Sequence, residues 1–359
     1  MHTDIDGAVH IARLAVGFDW SWTIESVGRF CHEAGWTLAS SVDTGRGPQF
    51  AKIRTSLSIT HPVGHAVYDP AFFDRMGIRG EEAKELLVYL ADTVDESKPE
   101  GRIHLTNSFA ELAGRLSIEF GSPHHRVNDM NLKVVWSLPG IVIFLSTDRQ
   151  DGSVQLSLVN PVYQDHLNRI AKDHVDLEDD DDFEDDDDFD DDGDFDDDDR
   201  DDDNIEVSSQ QDGFPRTWRE FTSALALTLS RLPVNGELAL ATSEGSGVRF
   251  EMGWHELLCL IPSADRCLGL DKMAQEDRAK WVGLGWTDAP AMHNADWERS
   301  MVWPGRYHEY EAIAEAAVMI LCDVLSVNGP ADVQLIIWND QSALIPDIVA
   351  FKSADSRLR

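Results

Sequence analysis

The residue types most able to hold a metal lie in an acidic run. Asp188, Asp190, Asp192, Gly193 and Asp199 fall at positions 1, 3, 5, 6 and 12 of a calcium-loop template. The last position is Asp rather than a bidentate Glu, no helical pattern flanks the loop, and a run of aspartates satisfies any acidic spacing by chance. No dedicated calcium site is expected there. His61 and His65 form an HxxxH that a helix would turn into two zinc ligands on one face, but Pro62 and Gly64 forbid that helix. His124 and His125 follow a proline turn without a nearby cysteine or paired carboxylate, and His255-Glu256 lacks the second histidine of a zincin. Cys259 and Cys267 have no second pair to complete four ligands. Neither a metal nor a cofactor is expected.

Nucleophilic and acid–base chemistry fare no better. A serine elbow, a phosphate-cradling glycine loop and a Cys/His frame are all missing, and Gly245 and Gly247 of GSGVRF read as a hairpin turn. Glu237, Glu251 and Glu256 could pair across strands, and the vicinity of Glu251, His255 and Glu256 is where an assembled catalytic site would form. A solvated sheet face explains these carboxylates more simply, so no catalytic residue is assigned and the chain is not expected to be an enzyme. The tryptophans point instead to binding. Trp254, Trp281, Trp286, Trp297 and Trp303 crowd one stretch, and such aromatic density either fills a core or lines a groove. Trp254, Trp286, Trp297 and Trp303 are the candidate peptide-binding residues. Trp297 and Trp303 lead, because HNADWERSMVWPGRYH reads as polar and irregular.

The elements that must position these residues divide around the acidic run. From Asp176 to Asp203 there are 22 acidic residues, one arginine and three phenylalanines. Dense like charge with so little apolar surface cannot offset the entropy of ordering, so residues 173–212 are expected to be a disordered linker. They separate an N-terminal domain over 1–172 from a C-terminal domain over 213–345, followed by a tail at 346–359. Each is of ordinary domain size. The formal net charge is −36, and no cluster of Lys and Arg stands out. Nucleic acid and anionic membranes are therefore disfavoured as partners. The N-terminus lacks a basic n-region and a cleavage site, no apolar run approaches the ~20 residues of a membrane span, and the cysteines are dispersed. A cytoplasmic location is expected.

Helical spacing over residues 22–34 ends at Gly35, and short strands follow in TLASSVDT, FAKIRTSLSI and GHAVYD. A second helix is expected around Glu81–Leu90. The plan then recurs: the helix TNSFAELAGRLSIEF stops at Gly121-Ser-Pro123, and LKVVWSL, GIVIFLST and VQLSLVN read as three strands, as an internally repeated domain would show. In the C-terminal half, WREFTSALALTLSRL reads as a helix, ELALATS, GVRFEMGW and HELLCLIP as strands, Tyr307–Leu325 as a long helix and VQLIIWN as a closing strand. The fold class is α+β: two domains, each an antiparallel sheet with helices packed on one face.

From Pro215 to Asp340 the chain resembles the bacterial domains related to type III secretion chaperones and the YbjN family, often called TY-chaperones. The residues that carry the likeness are WREFTSALALTLSRL, GVRFEM, WVGLGWTDAP, the Trp297 of NADWERS and CDVLSVNGPADVQLIIW. None is a catalytic motif, and the resemblance implies a small α+β domain that binds peptides or proteins. The N-terminal half resembles an uncharacterised bacterial domain family, carried by its helix ending in GW, FAELAGRLSIEFGSP and VVWSLPG. The expected function is non-enzymatic protein or peptide binding, chaperone-like or regulatory, by two domains that an acidic spring holds apart. The alternative is an immunity or antitoxin-like protein that neutralises a cognate toxin. A homodimer is favoured slightly over a monomer.

Overall fold

The computed structural model describes residues 1–39, 49–78, 83–128, 131–148, 151–178, 205–207, 215–242, 247–262, 281–288 and 295–339. The aspartates of the calcium-loop spacing, Cys267 and the tail at 346–359 lie outside them.

The first helix begins where a side chain caps it. Asp4 accepts the Gly7 amide at 2.8 Å and starts α1 (Ile5–Gly17), which buries Ala8, Val9, Ile11, Ala12 and Ala15. Thr23 and Ser26 cap each other at the start of α2 (Ile24–Glu33), which Gly35 ends at a φ of 69°. The meander β1 (Thr37–Leu38), β2 (Gln49–Arg54), β3 (Val63–Tyr68) and β4 (Ala83–Tyr89) follows, with α3 (Pro70–Arg75) before its last strand. Then α4 (Pro99–Phe120) opens a second round: β5 (His125–Asn128), β6 (Leu132–Leu138), β7 (Ile141–Asp148) and β8 (Ser153–Val159), with α5 (Pro161–Glu178) behind them. Across the sheet the order is β1-β2-β3-β4-β8-β7-β6-β5, with every neighbouring pair antiparallel. A helix followed by four meandering strands thus occurs twice, and the last strands of the two rounds pair at the centre.

One expected element changes type. The stretch read as a helix around Glu81–Leu90 forms β4, because Leu86, Val88 and Leu90 alternate into the core and both edges of the strand are taken by β3 and β8. Helices α1 and α4 lie together on one face of this sheet. On the other face, Tyr163 of α5 packs on a smaller cluster of Val135, Val142, Phe144 and Val159.

In the C-terminal unit Thr217 and Glu220 form a capping box at the start of α6 (Trp218–Leu229). The strands are β9 (Ile205–Val207), β10 (Gly236–Thr242), β11 (Gly247–Met252), β12 (Glu256–Pro262), β13 (Thr287–Asp288), β14 (Ala295–Val302) and β15 (Val333–Asn339). Helix α7 (Tyr307–Met319) runs directly into a π-helical turn, Ile320–Val324. The sheet order is β13-β14-β12-β11-β10-β15-β9. Residues 295–302, read from sequence as irregular, are a strand paired along β12. The range 173–212 read as linker also carries regular structure at both ends: α5 continues to Glu178, and β9 pairs with β15.

The two units are docked. Helix α4 contacts both α6 and α7, and one continuous buried cluster includes Phe109 and Leu112 of α4 together with Phe221, Trp303 and Tyr310. Glu96, just before α4, bonds Arg231 beyond α6, and the seam also receives the buried Arg102. Burial and the neighbouring Arg231 guanidinium push the Arg102 pKa down against the pull of Glu96. Asn107 accepts the Tyr307 amide at 2.8 Å, so an α4 side chain caps the first turn of α7. Arg306 and Glu111 add an ion pair at 3.6 Å. Arg126 on β5 donates to the Trp303 carbonyl.

Candidate binding crevice

Trp303 is fully buried. Its ring lies 6.3 Å from that of Phe109, and its carbonyl takes the Arg126 guanidinium, so it serves as an anchor between the units. Trp297 and Trp286 are buried as well, at 8% and 1% exposure. Of the four tryptophans read as a peptide-binding set, only Trp254 is substantially exposed, at 48%, and its ring sits 5.4 Å from that of His125 at the seam. The four do not converge on one groove. The sequence could not place them because strand β14 alternates, sending Trp297 and Met301 inward while Val302 faces solvent.

Trp286 and Trp297 do share a neighbour that was not among the peptide-binding candidates. Trp281 lies 5.8 Å from Trp286 and 5.5 Å from Trp297, ring centre to ring centre. Trp281 and Trp286 of this cluster, with Leu284, form one wall of a narrow crevice. Ala316, Met319, Ile320 and Val324, at the end of α7 and in its π-turn, form the other, and among the described lining residues Asp323 is the ionisable one. The crevice holds about 20 Å³, room for about one water. Its rim is apolar: Val282 is 59% exposed and Leu284 36%.

Local sequence explains both walls. In WVGLGW the leucine stands between Gly283 and Gly285, and Gly285 has a φ of 86°, a conformation that glycine adopts without strain. The Trp286 amide returns to the Trp281 carbonyl at 3.0 Å and closes the turn into a flap. Opposite it, the Leu325 amide reaches the Ile320 carbonyl at 3.0 Å, and Ser326 takes a φ of 55°. A π-turn shifts the helical register and re-aims side chains, a feature that recurs at functional sites. The glycine-flanked leucine was the one signal in the sequence that could have marked this place.

The residues considered for chemistry lie elsewhere. Glu237 and Glu251 face each other across β10 and β11, and Arg249 pairs with Glu251 and lies 3.9 Å from Glu237. An arginine between two carboxylates makes a structural cross-strand pair rather than an acid–base dyad. His255 and Glu256 are exposed at the turn before and the first residue of β12. His65 lies on β3, with its pKa lowered by burial and by Lys52, and His124 accepts the Ser137 amide at 3.2 Å. Among the described residues no three His, Cys, Asp or Glu side chains converge as a metal site would require. No described helix is long and apolar enough to cross a membrane.

Residues 211–339 match a peptide-binding chaperone family. Its description reads T3SS (YopN, CesT) and YbjN peptide-binding chaperone 3. Residues 6–160 match a family of unknown function, DUF6301. Neither the curated proteins nor the solved structures yield a match to the chain. The chaperone match spans α6 through β15 and so includes the WVGLGW flap, the π-turn and the crevice between them, and the N-terminal match spans both rounds of helix and meander.

Proposed function

We propose that the protein is a non-enzymatic, chaperone-like binder of peptide segments, and that its TY-chaperone unit grips an apolar client side chain between the WVGLGW flap and the π-turn of α7. The observation that carries this reading is an apolar crevice with exposed apolar rims inside the region that matches a peptide-binding chaperone family. At about 20 Å³ the crevice admits a side chain only when the flap swings away from α7, and Gly283 and Gly285 supply the backbone freedom for that motion. A client leucine or phenylalanine would then exchange water for Trp281, Trp286 and Met319. Burial of such a side chain contributes about 1.5–3 kcal/mol, so several weak anchors rather than one would hold a client. Asp323 at the edge of the crevice favours a client with a basic residue next to the anchor.

Fluorescence anisotropy against a library of labelled, capped peptides tests this. Apolar-anchor peptides are expected to bind, and Leu284→Asp is expected to weaken them at least tenfold without lowering the melting temperature. Equal binding by the variant would place peptide recognition elsewhere. Binding confined to a single folded toxin would favour neutralisation of a cognate protein instead.

A further inference from the structure

A larger pocket than the crevice lies in the N-terminal unit, on the face of the sheet that carries α5, and holds about 550 Å³. That is within the size range of ligand sites, which run from about 300 to 1,000 Å³. Its walls are mixed: Leu87, Phe144, Val159, and Tyr163 and Leu167 of α5 stand beside the polar Asn131, Thr147 and Gln164. Its floor is polar. Ser157 and Gln155 of the central strand β8 are only 4% and 6% exposed, and Ser146 stands opposite Gln155 on β7. Gln155 donates to Asp148 at 3.1 Å and to Ser153 at 3.2 Å, so the floor is a hydrogen-bonded polar strip with apolar groups on both sides, which suits neither a dry core nor a face washed by solvent. It suits an occupant with an apolar body and hydrogen-bonding edges.

Charge specifies that occupant further. Among the described lining residues two carboxylates, Glu85 at the β4 end and Asp148 on β7, stand against one ammonium, Lys133, which is held 3.8 Å from the centre of the Phe144 ring; the Lys84 ammonium, 4.7 Å from the Tyr163 ring, is itself paired with Asp69 at 2.7 Å. From Glu85 on β4 to Lys133 on β6 the trough crosses three strand spacings, roughly 14 Å, or the length of about four extended residues. We infer that this trough is a second binding site, for a short extended peptide segment that sets an arginine or lysine against Glu85 and lays apolar side chains along Phe144 and Tyr163. The site belongs to the DUF6301 unit and does not depend on the crevice of the TY-chaperone unit.

The test uses the full chain and capped hexapeptides that alternate leucine with arginine, with leucine–glutamate peptides as controls, titrated by calorimetry. A photoreactive leucine analogue in the arginine peptide maps the contact. The arginine peptide is expected to bind and to crosslink to Leu87, Phe144 or Tyr163, and the glutamate peptide is expected not to bind. Glu85→Lys is expected to weaken binding at least tenfold, and so is Ser157→Leu, which fills the trough; Leu284→Asp in the other unit is expected to leave it unchanged. Because Glu85 is only half-buried, Glu85→Lys decides the matter even if Ser157→Leu unfolds. Unchanged affinity in Glu85→Lys, or crosslinks confined to the aspartate-rich stretch, would overturn the proposal by showing attraction to polyanion alone. Displacement of the peptide by spermine at equal charge would also overturn it, by placing recognition in the ammonium rather than in a peptide.

Discussion

Glu96 shows how much a single side chain carries at the seam. It bonds Arg231 and moderates the buried Arg102, so Glu96→Gln would leave two guanidinium groups close together in a region largely removed from water. Breaking a buried ion pair by removing one partner costs about 3–5 kcal/mol, and the lower end is expected here because Arg231 keeps some exposure. Urea denaturation would read the change as a lower midpoint at unchanged slope. The cysteines give a second expectation at this scale. Burial pushes the Cys31 thiol up to about 12 and raises Cys259 as well; burial and Asp323 also raise Cys322, but it alone of the three is only partly buried. Of these three, Cys322 is expected to react first with a thiol reagent at pH 8, and peptide mapping after brief labelling checks the order.

Elements meet at positions where one atom too many cannot be accommodated. Gly152 turns β7 into β8 at a φ of 58°, and a Cβ there would come within 2.0 Å of the Val94 carbonyl oxygen. Gly152→Ala is therefore expected to cost at least about 2 kcal/mol, from left-handed strain and displaced backbone together, measurable as a drop in melting temperature. Helix α4 and strand β3 also set a pH dependence. Burial, aided by the N-terminal ammonium for His104 and by Lys52 for His65, lowers both imidazole pKa values. A base with a depressed folded pKa takes up its proton more readily when unfolded. The stability it contributes is present above the unfolded value of about 6.5 and is lost as pH falls toward the folded value. The urea midpoint is expected to fall between pH 7.5 and 5.5, and the double variant His65→Gln, His104→Gln is expected to flatten that fall.

For the whole molecule, the docked seam changes the role expected of the acidic run. A polyanionic spring would hold two free domains apart, yet α4 packs on α6 and α7 and shares a core with them. Replacing residues 179–203 with a neutral segment of equal length is therefore expected to leave the radius of gyration nearly unchanged in X-ray scattering. It should also preserve a single unfolding transition. Two separate transitions, or expansion of the native chain, would show that the charged run and not the seam governs how the units sit.

Much of this was legible in the sequence because it is local. Helical spacing over residues 22–34 and in WREFTSALALTLSRL, the stops at Gly35 and Gly121, the apolar run GIVIFLST and the landmarks of the TY-chaperone likeness carried the α+β class, most of the elements and the family likeness. The failures have one physical origin. KELLVYL forms a strand because β3 and β8 bond both of its edges, and Trp303 is buried because Phe109 and Arg126, far away in sequence, close over it. The sequence by itself determined most, though not all, of the helices and strands and that the C-terminal unit resembles a peptide-binding chaperone family. Only the tertiary structure decided which tryptophans are anchors and which line a crevice, that a polar-floored trough lies under α5, and that the two units are docked, because each of these depends on contacts between residues that the chain's local pattern leaves unpaired.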